Sequence, residues 1–429
     1  MNARLYLLSF FILFTGSFQN LRSQGDGFLT KDGKRLFTIG WYHMPKEDAS
    51  LKELSKAGVN LIRCRTREDL DRLKGVGIQG WVPLRWEKGV TDEFKERVLS
   101  IADHPALAVW EGPDEVVHNF TAYSGLFHRL KVHEKERAWW DQTPGAVRYA
   151  QEKAREFIPN IIDAVSYIRS VDPYNRQTWI NEAVTSDIGY VRQYIDHIDI
   201  TGADIYPIIG KQLTPENPGI RSGVGRIRSV TERYLEIGRG KPVWMILQAF
   251  SWPELGGLQK HQPQAYPSFD ESRYMAYLAV AAGARGIVYW GSYSVKPQDS
   301  DFLQAIYAVT SELSALQPFL VAPNQDGVHV NVNADPLEAD TPLSCVARRT
   351  GRDWLIAVIN ETDSRLMSVV VNGLDHLNGM KFTELYGDDE VTVSNSEIIL
   401  RMKPREVKVY ATGKKWETSR LKGRDYRGI

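Results

Sequence analysis

Ala106-Leu-Ala-Val-Trp-Glu-Gly-Pro-Asp-Glu115 reads as a short apolar strand that runs through a Gly-Pro turn into two adjacent carboxylates, Asp114 and Glu115. Acids at the C-terminal end of a strand are where a (β/α)8 barrel keeps its chemistry. Taken alone, the segment also reads as a solvated acidic turn. Its surroundings decide between the two.

From about residue 25 to 320 short β-rich apolar runs alternate with helical patterns, the rhythm of repeated βα units. Eight runs read as strands: 36–41, 59–63, 78–83, 106–111, 178–181, 198–205, 243–247 and 286–290. Between them, Phe157, Ile161, Val165 and Ile168 recur at helical spacing within 146–170, and Asp172-Pro173 closes that segment. Ile306, Val309, Leu313 and Leu316 repeat the pattern in 302–316. The expected fold is therefore a TIM barrel over 25–322. A doubly wound open sheet is the alternative, but no glycine-rich phosphate loop follows the first strand.

After Pro323 the texture changes to β-branched runs separated by Gly, Asn and Asp: 328–332, 354–360, 367–371, 391–393 and 407–410. These predict a small antiparallel β-sandwich over 323–412. The basic segment 413–429 lacks apolar periodicity and is expected to be a solvated or loosely docked tail.

Lys+Arg and Asp+Glu both number 53, so no bulk field favours nucleic acid or an anionic membrane. Arg4 precedes the apolar run Leu5–Phe14, and small and polar residues follow to Gly25. That is the pattern of a secretory signal peptide over 1–24, too short for a stable membrane span, and it implies a secreted or periplasmic protein. No Cys follows the run, which argues against a lipid anchor. The two cysteines, Cys64 and Cys345, fall in different predicted domains, so no disulfide framework is expected. The nine His show no metal-ligand spacing; no metal or other cofactor is implied. Twelve Trp and nineteen Tyr are many for this length, and they suit either a sugar-gripping cleft or a core.

Paired carboxylates in a barrel cleft are the usual equipment for cutting glycosidic bonds. At this point the chain resembles the clan-A glycoside hydrolases over both domains. The fourth strand of that clan typically ends Trp-Glu-x-x-Asn-Glu, and here it reads Trp110-Glu-Gly-Pro-Asp114-Glu115. The resemblance implies Glu115 as acid/base, with Asp114 replacing a sugar-binding Asn. Gly202-Ala-Asp-Ile-Tyr-Pro207 is similar to a sixth strand whose Tyr, here Tyr206, contacts the nucleophile. Val288-Tyr-Trp-Gly291 places Trp290 where the clan stacks a Trp under the sugar, and Ile62-Arg63-Cys-Arg65 supplies an arginine beside the nucleophile. Lys403–Tyr410 looks like the closing strand of the appended sandwich. The implied partner is an oligo- or polysaccharide.

One departure stands against these matches. The clan's nucleophile is a Glu ending strand seven, and here that strand reads Val243-Trp-Met-Ile-Leu-Gln248. A carboxamide cannot ionise or form a normal glycosyl ester. Three explanations follow. Glu115 acts as general acid while Asp204 or Glu182, both at strand ends, activates water and inverts the anomeric centre. Alternatively, Gly112-Pro-Asp-Glu-Val116 is similar to the Gly-Gly-Asp-Glu-Val of family 20 hexosaminidases. Asp114 would then orient a substrate acetamido group, Glu115 would be the acid, and Tyr206 or Gln248 would bind the acetamide. The third explanation is a non-catalytic carbohydrate-binding barrel.

Each residue also has a structural alternative. Glu115 can pair with Arg63 or Arg65; Tyr206 and Trp290 can be core; Asp204 can cap a turn. Glu111, facing opposite to Trp110, is read as structural. The long segment 118–145, with Tyr123, Phe127, Trp139 and Trp140, is expected to shape the cleft or pin its own loop. Trp41-Tyr-His43 and the aromatics from Phe250 to Tyr266 are expected to complete a rim, with Trp41 touching substrate.

Overall fold

The computed structural model describes residues 26–121, 138–209, 222–256, 261–262, 264–292, 301–332 and 341–422. The predicted signal segment, Tyr123 and Phe127 lie outside the described residues.

A hairpin of β1 (Leu29–Lys31) and β2 (Lys34–Leu36) precedes eight parallel strands. These are β3 (Thr38–Trp41), β4 (Leu61–Arg63), β5 (Gln79–Pro83), β6 (Leu107–Glu111), β7 (Gln177–Ala183), β8 (Ile200–Ile205), β9 (Val243–Gln248) and β10 (Gly286–Trp290). They pair in chain order, and β10 closes on β3, giving the expected (β/α)8 barrel. Outside it run α1 (Asp48–Lys56), α2 (Arg67–Gly75), α3 (Asp92–Leu99), α4 (Val116–Thr121), α5 (Pro144–Val171), α6 (Ile188–Tyr194), α7 (Arg226–Ile237), α8 (Phe269–Ala281) and α9 (Asp301–Ala315).

Side-chain alternation along the strands explains the barrel's filling. Leu61, Trp81, Val109, Trp179, Trp244 and Val288 point inward and pack on one another. Gly202 and Gly286 leave the space these rings need: a Cβ would lie 2.8 Å from the Trp179 indole nitrogen at the first and 2.7 Å from Trp244 Cδ1 at the second. The intervening residues face the helices. Trp110 on β6 donates its indole N–H to Asp172 at the end of α5, at 2.9 Å. The hairpin covers the N-terminal end of the barrel. Gln177 exchanges hydrogen bonds with Gly27 and Phe28, and the Trp244 indole donates to the Gly27 carbonyl at 2.8 Å.

A short helix, α10 (Gln317–Leu320), leads into the β-domain. There β11 (His329–Val332), β14 (Leu366–Asn372) and β17 (Ile398–Met402) form one antiparallel sheet. The other has the order β12 (Leu343–Thr350), β13 (Asp353–Asn360), β18 (Val407–Ala411), β15 (Lys381–Glu384), β16 (Glu390–Thr392). Val358, Val371, Phe382, Leu400 and Tyr410 pack between the sheets. The opposite face of the larger sheet, with Leu355, Ala357, Val407 and Val409, joins the core of the barrel's helices. Arg273 on α8 fastens this junction: it grips Glu312 of α9 through two 2.8 Å bonds and donates to the Val407 carbonyl.

Of the two expectations for the tail, solvated or loosely docked, its described part is docked. Trp416 packs on Phe319, Tyr386 holds Glu417 and Thr418, and Leu421 is buried. The periodic signal was missing because single anchors, not a regular face, dock the segment.

Candidate active site

Four carboxyl groups meet at the C-terminal ends of the barrel strands. Glu111 is the last inward residue of β6 and is completely buried. Its Oε2 accepts from Arg63 Nε at 2.7 Å, and its Oε1 accepts from the Tyr42 hydroxyl at 2.9 Å. The Arg63 guanidinium also lies over the Tyr42 ring, 4.7 Å from its centroid. Burial pushes the Glu111 carboxyl up to about 7 although Arg63 pulls the other way and Asp114 adds to the rise.

The chain then turns sharply. A Cβ on Gly112 would meet Ile180 and Trp86 at 2.6 and 2.7 Å, so only glycine fits there. Glu115 adopts a left-handed φ of 51°, which costs a non-glycine residue about 1–2 kcal/mol. Its N–H donates to the Asn181 carbonyl of β7 at 2.9 Å, and its own carbonyl accepts from Asn119 N in α4. The turn is thus anchored on both sides, and both acids are aimed inward. Asp114 accepts from Asn181 Nδ2 at 3.0 Å and lies beside the Tyr42 hydroxyl.

Asp204, the last inward carboxylate of β8, lies within hydrogen-bonding reach of Glu115 and of the Tyr206 hydroxyl. Burial, then the neighbouring Glu115 and Asp114, holds the Asp204 carboxyl far above the usual carboxylate range. Two carboxyl groups in contact cannot both ionise, so the pair keeps a proton between them. His118, one turn along α4, is charge-coupled to Glu115 and bonded to Thr185 at 2.9 Å; burial lowers its basicity. His43 is pushed down to about 4 by burial and the Arg63 charge.

Beside the acids stands an aromatic wall. Trp290, ending β10, stacks on Tyr206 with ring centroids 5.4 Å apart and planes 25° from parallel. Phe250 meets both rings edge-on at 5.0 Å, and His43 lies 5.9 Å from Trp290.

The structure thus brings together Asp114, Glu115, Asp204, Arg63, Tyr206 and Trp290. Four other predicted residues lie apart. Trp41 points outward, 4% exposed, and packs on Tyr289 and Tyr307 in the helical layer; Tyr42, its neighbour, takes the inward place. Glu182 also faces outward. Its carboxylate accepts from Ser186, Tyr194 and the backbone of Val117 and His118, capping α4. Gln248 points inward but is fully buried. It accepts from Ile208 N and donates to the carbonyls of Ile208 and Phe250, which leaves no amide atom for an acetamido group. Arg65 is exposed beyond the end of β4. In the long segment after β6, Trp139 is buried against Tyr190, whereas Trp140 is exposed.

Glu111, Tyr42 and Asn181 were the residues that sequence reasoning missed. Strand alternation from Trp110 places Glu111 inward, and the same count from Trp179 places Asn181 inward. Among the described residues no group of three or more His, Cys, Asp or Glu is arranged to hold a metal ion. No helix there is long and apolar enough to cross a membrane.

No protein-family profile matches the chain, and no curated protein matches it. Solved structures do. A β-galactosidase from Bacillus circulans sp. alkalophilus aligns with a TM-score of 0.54 and 9% identity, over 88% of this chain and 99% of that one. A glycoside hydrolase family 5 protein from Bacteroides vulgatus aligns with a TM-score of 0.51 and 13% identity, over 92% and 96%. For the β-galactosidase of the psychrophilic Marinomonas ef1 the alignment takes in 65% of this chain and 59% of that one, with 14% identity and a TM-score of 0.42. What this chain shares with the first two is the fold alone, over most of each chain.

Proposed function

We propose that this protein is a secreted glycoside hydrolase that cleaves an O-glycosidic bond of an oligo- or polysaccharide, with Glu115 as general acid and Asp204 as the second carboxylate. The single observation that carries the reading is the close approach of these two acids, from the ends of two different strands, beside the Trp290–Tyr206 stack. One proton on two carboxyl groups is the state that inversion requires. The shared proton, held on Asp204 at rest, passes to Glu115, which gives it to the departing glycosidic oxygen as the C–O bond breaks. Asp204, ionised, takes a proton from the water that attacks the anomeric carbon. The resting contact is closer than the roughly 6.5–9.5 Å that inverting pairs keep, so the bound sugar and water part the two acids. Export rests on the N-terminal apolar run.

The same contact favours a second reading. Because the resting pair leaves no gap for water, a substrate acetamido group oriented by Asp114 replaces it as nucleophile, with Tyr206 as its partner.

Wild type, Glu115→Gln and Asp204→Asn are compared on aryl glycosides and polysaccharides, including N-acetylhexosaminides. A loss of about 10²–10⁴ in turnover for Glu115→Gln is expected, and NMR of the first-formed anomer shows inversion. Retention confined to N-acetylhexosaminides selects the second reading. Turnover untouched by Glu115→Gln removes the site assignment. Sugar binding without turnover makes the barrel a carbohydrate-binding protein.

A further inference from the structure

The Tyr42 hydroxyl has one proton and two carboxyl neighbours, Glu111 at 2.9 Å and Asp114. It can donate to one of them at a time. Which one depends on Glu111. An ionised Glu111 accepts from both Arg63 and Tyr42, and Asp114 then keeps only the Asn181 amide. A protonated Glu111 donates its own O–H to the Tyr42 oxygen, and the Tyr42 O–H rotates to Asp114. Atoms balance: one proton is taken up at Glu111, and one hydrogen bond is exchanged for another with no covalent change at Tyr42.

We propose that Glu111, Tyr42 and Asp114 form a buried two-position switch in which the protonation of Glu111 sets, through the Tyr42 hydroxyl, the charge stabilisation of Asp114 beside the Glu115–Asp204 pair. Glu111 and Tyr42 are positioning residues on this account, and they reach the reacting pair only through Asp114. The groups that face Glu111 are Arg63 from β4, Tyr42 after β3 and Asp114 after β6, and these are the charges that act on it. Burial places its titration near neutrality, where the switch turns over under ordinary conditions. The dependence of Asp204 on the Asp114 charge carries the signal onward. The consequence for turnover rests on the glycosidase reading; the switch itself does not.

The test is therefore made first without substrate. In ¹³C NMR of aspartate-labelled wild type, with the signal assigned by its loss in Asp114→Asn, the Asp114 carboxyl shift is expected to show a step between about pH 6 and 8, where Glu111 titrates. Glu111→Gln is expected to abolish that step, and Tyr42→Phe to shrink it to the through-space effect of the Glu111 charge. Where Glu111→Gln does not fold, Tyr42→Phe alone decides, because it leaves the Arg63–Glu111 pair in place. A step of unchanged size in Tyr42→Phe overturns the proposal, and so does its absence in wild type. With a substrate in hand, the same ionisation is expected in the pH profile of kcat/KM and is lost in Tyr42→Phe. A switch seen by NMR with no turnover on any sugar would sink the glycosidase reading and leave the switch standing.

Discussion

At Gln248 the amide nitrogen donates to two backbone carbonyls inside a fully buried pocket. A carboxylate there would face two acceptors. Gln248→Glu, which puts an acid at the end of the seventh barrel strand, is thus expected to cost about 1–3 kcal/mol and to bring no gain in turnover. Urea denaturation and kcat on the same sample check both. The residue scale is also where the sequence was hardest to read. Trp110 and Glu111 are neighbours with opposite fates, and alternation alone separates them. Trp41 and Tyr42 show the reverse error: a rim residue was sought one position too early, and a shift of one places it on the other face. The partners of Glu111 lie 48 and 69 residues away, and no local pattern announces them. Asp114 and Glu115, one turn past β6, and Asp204, near the end of β8, could be placed at strand ends from the sequence because apolar runs lead into them.

At the scale of elements, α4 is too short to stand on its own helical propensity. The Glu182 carboxylate supplies its N-terminal cap, and the Glu115 backbone is tied to the same strand. Glu182→Ala is expected to cost about 2–3 kcal/mol, with turnover falling along with the order of the Glu115 turn; thermal denaturation and kcat measured together show whether the two losses coincide. Burial pushes Glu182 up to about 7 in the folded chain. Its folded pKa lies above the unfolded value of about 4.3. Its contribution is therefore full below that pH and lost as pH rises through about 7. Tm is expected to fall from pH 5 to 8, and Glu182→Gln should flatten the fall. All eight barrel strands were legible from apolar runs between turns. β12, β15 and β17 were not: Leu343-Ser-Cys-Val-Ala-Arg-Arg-Thr350 lacks a β-branched run, Lys381–Glu384 has four residues, and Ile398–Met402 is short and interrupted by Arg401.

For the whole molecule, barrel and β-domain share one continuous core across α8 and the larger sheet. Glu312 is buried at that junction and Arg273 is largely covered, and removing Arg273 strands the Glu312 charge. Arg273→Ala is expected to cost about 3–5 kcal/mol. Calorimetry should show a single unfolding transition in the wild type that moves down or splits in the variant. This coupling was invisible in sequence, because a change of texture near Pro323 marks where a domain begins and says nothing of how firmly it is held. The hairpin at the other end of the barrel gives the molecule a polarity. Its bonds from Gly27 and Phe28 to Gln177 and Trp244 bring the chain in at the floor, while Glu115 and Asp204 sit at the ceiling. A protein immobilised through residues ahead of Gly27 would be held by the floor of its barrel, with the Glu115–Asp204 end turned away from the support.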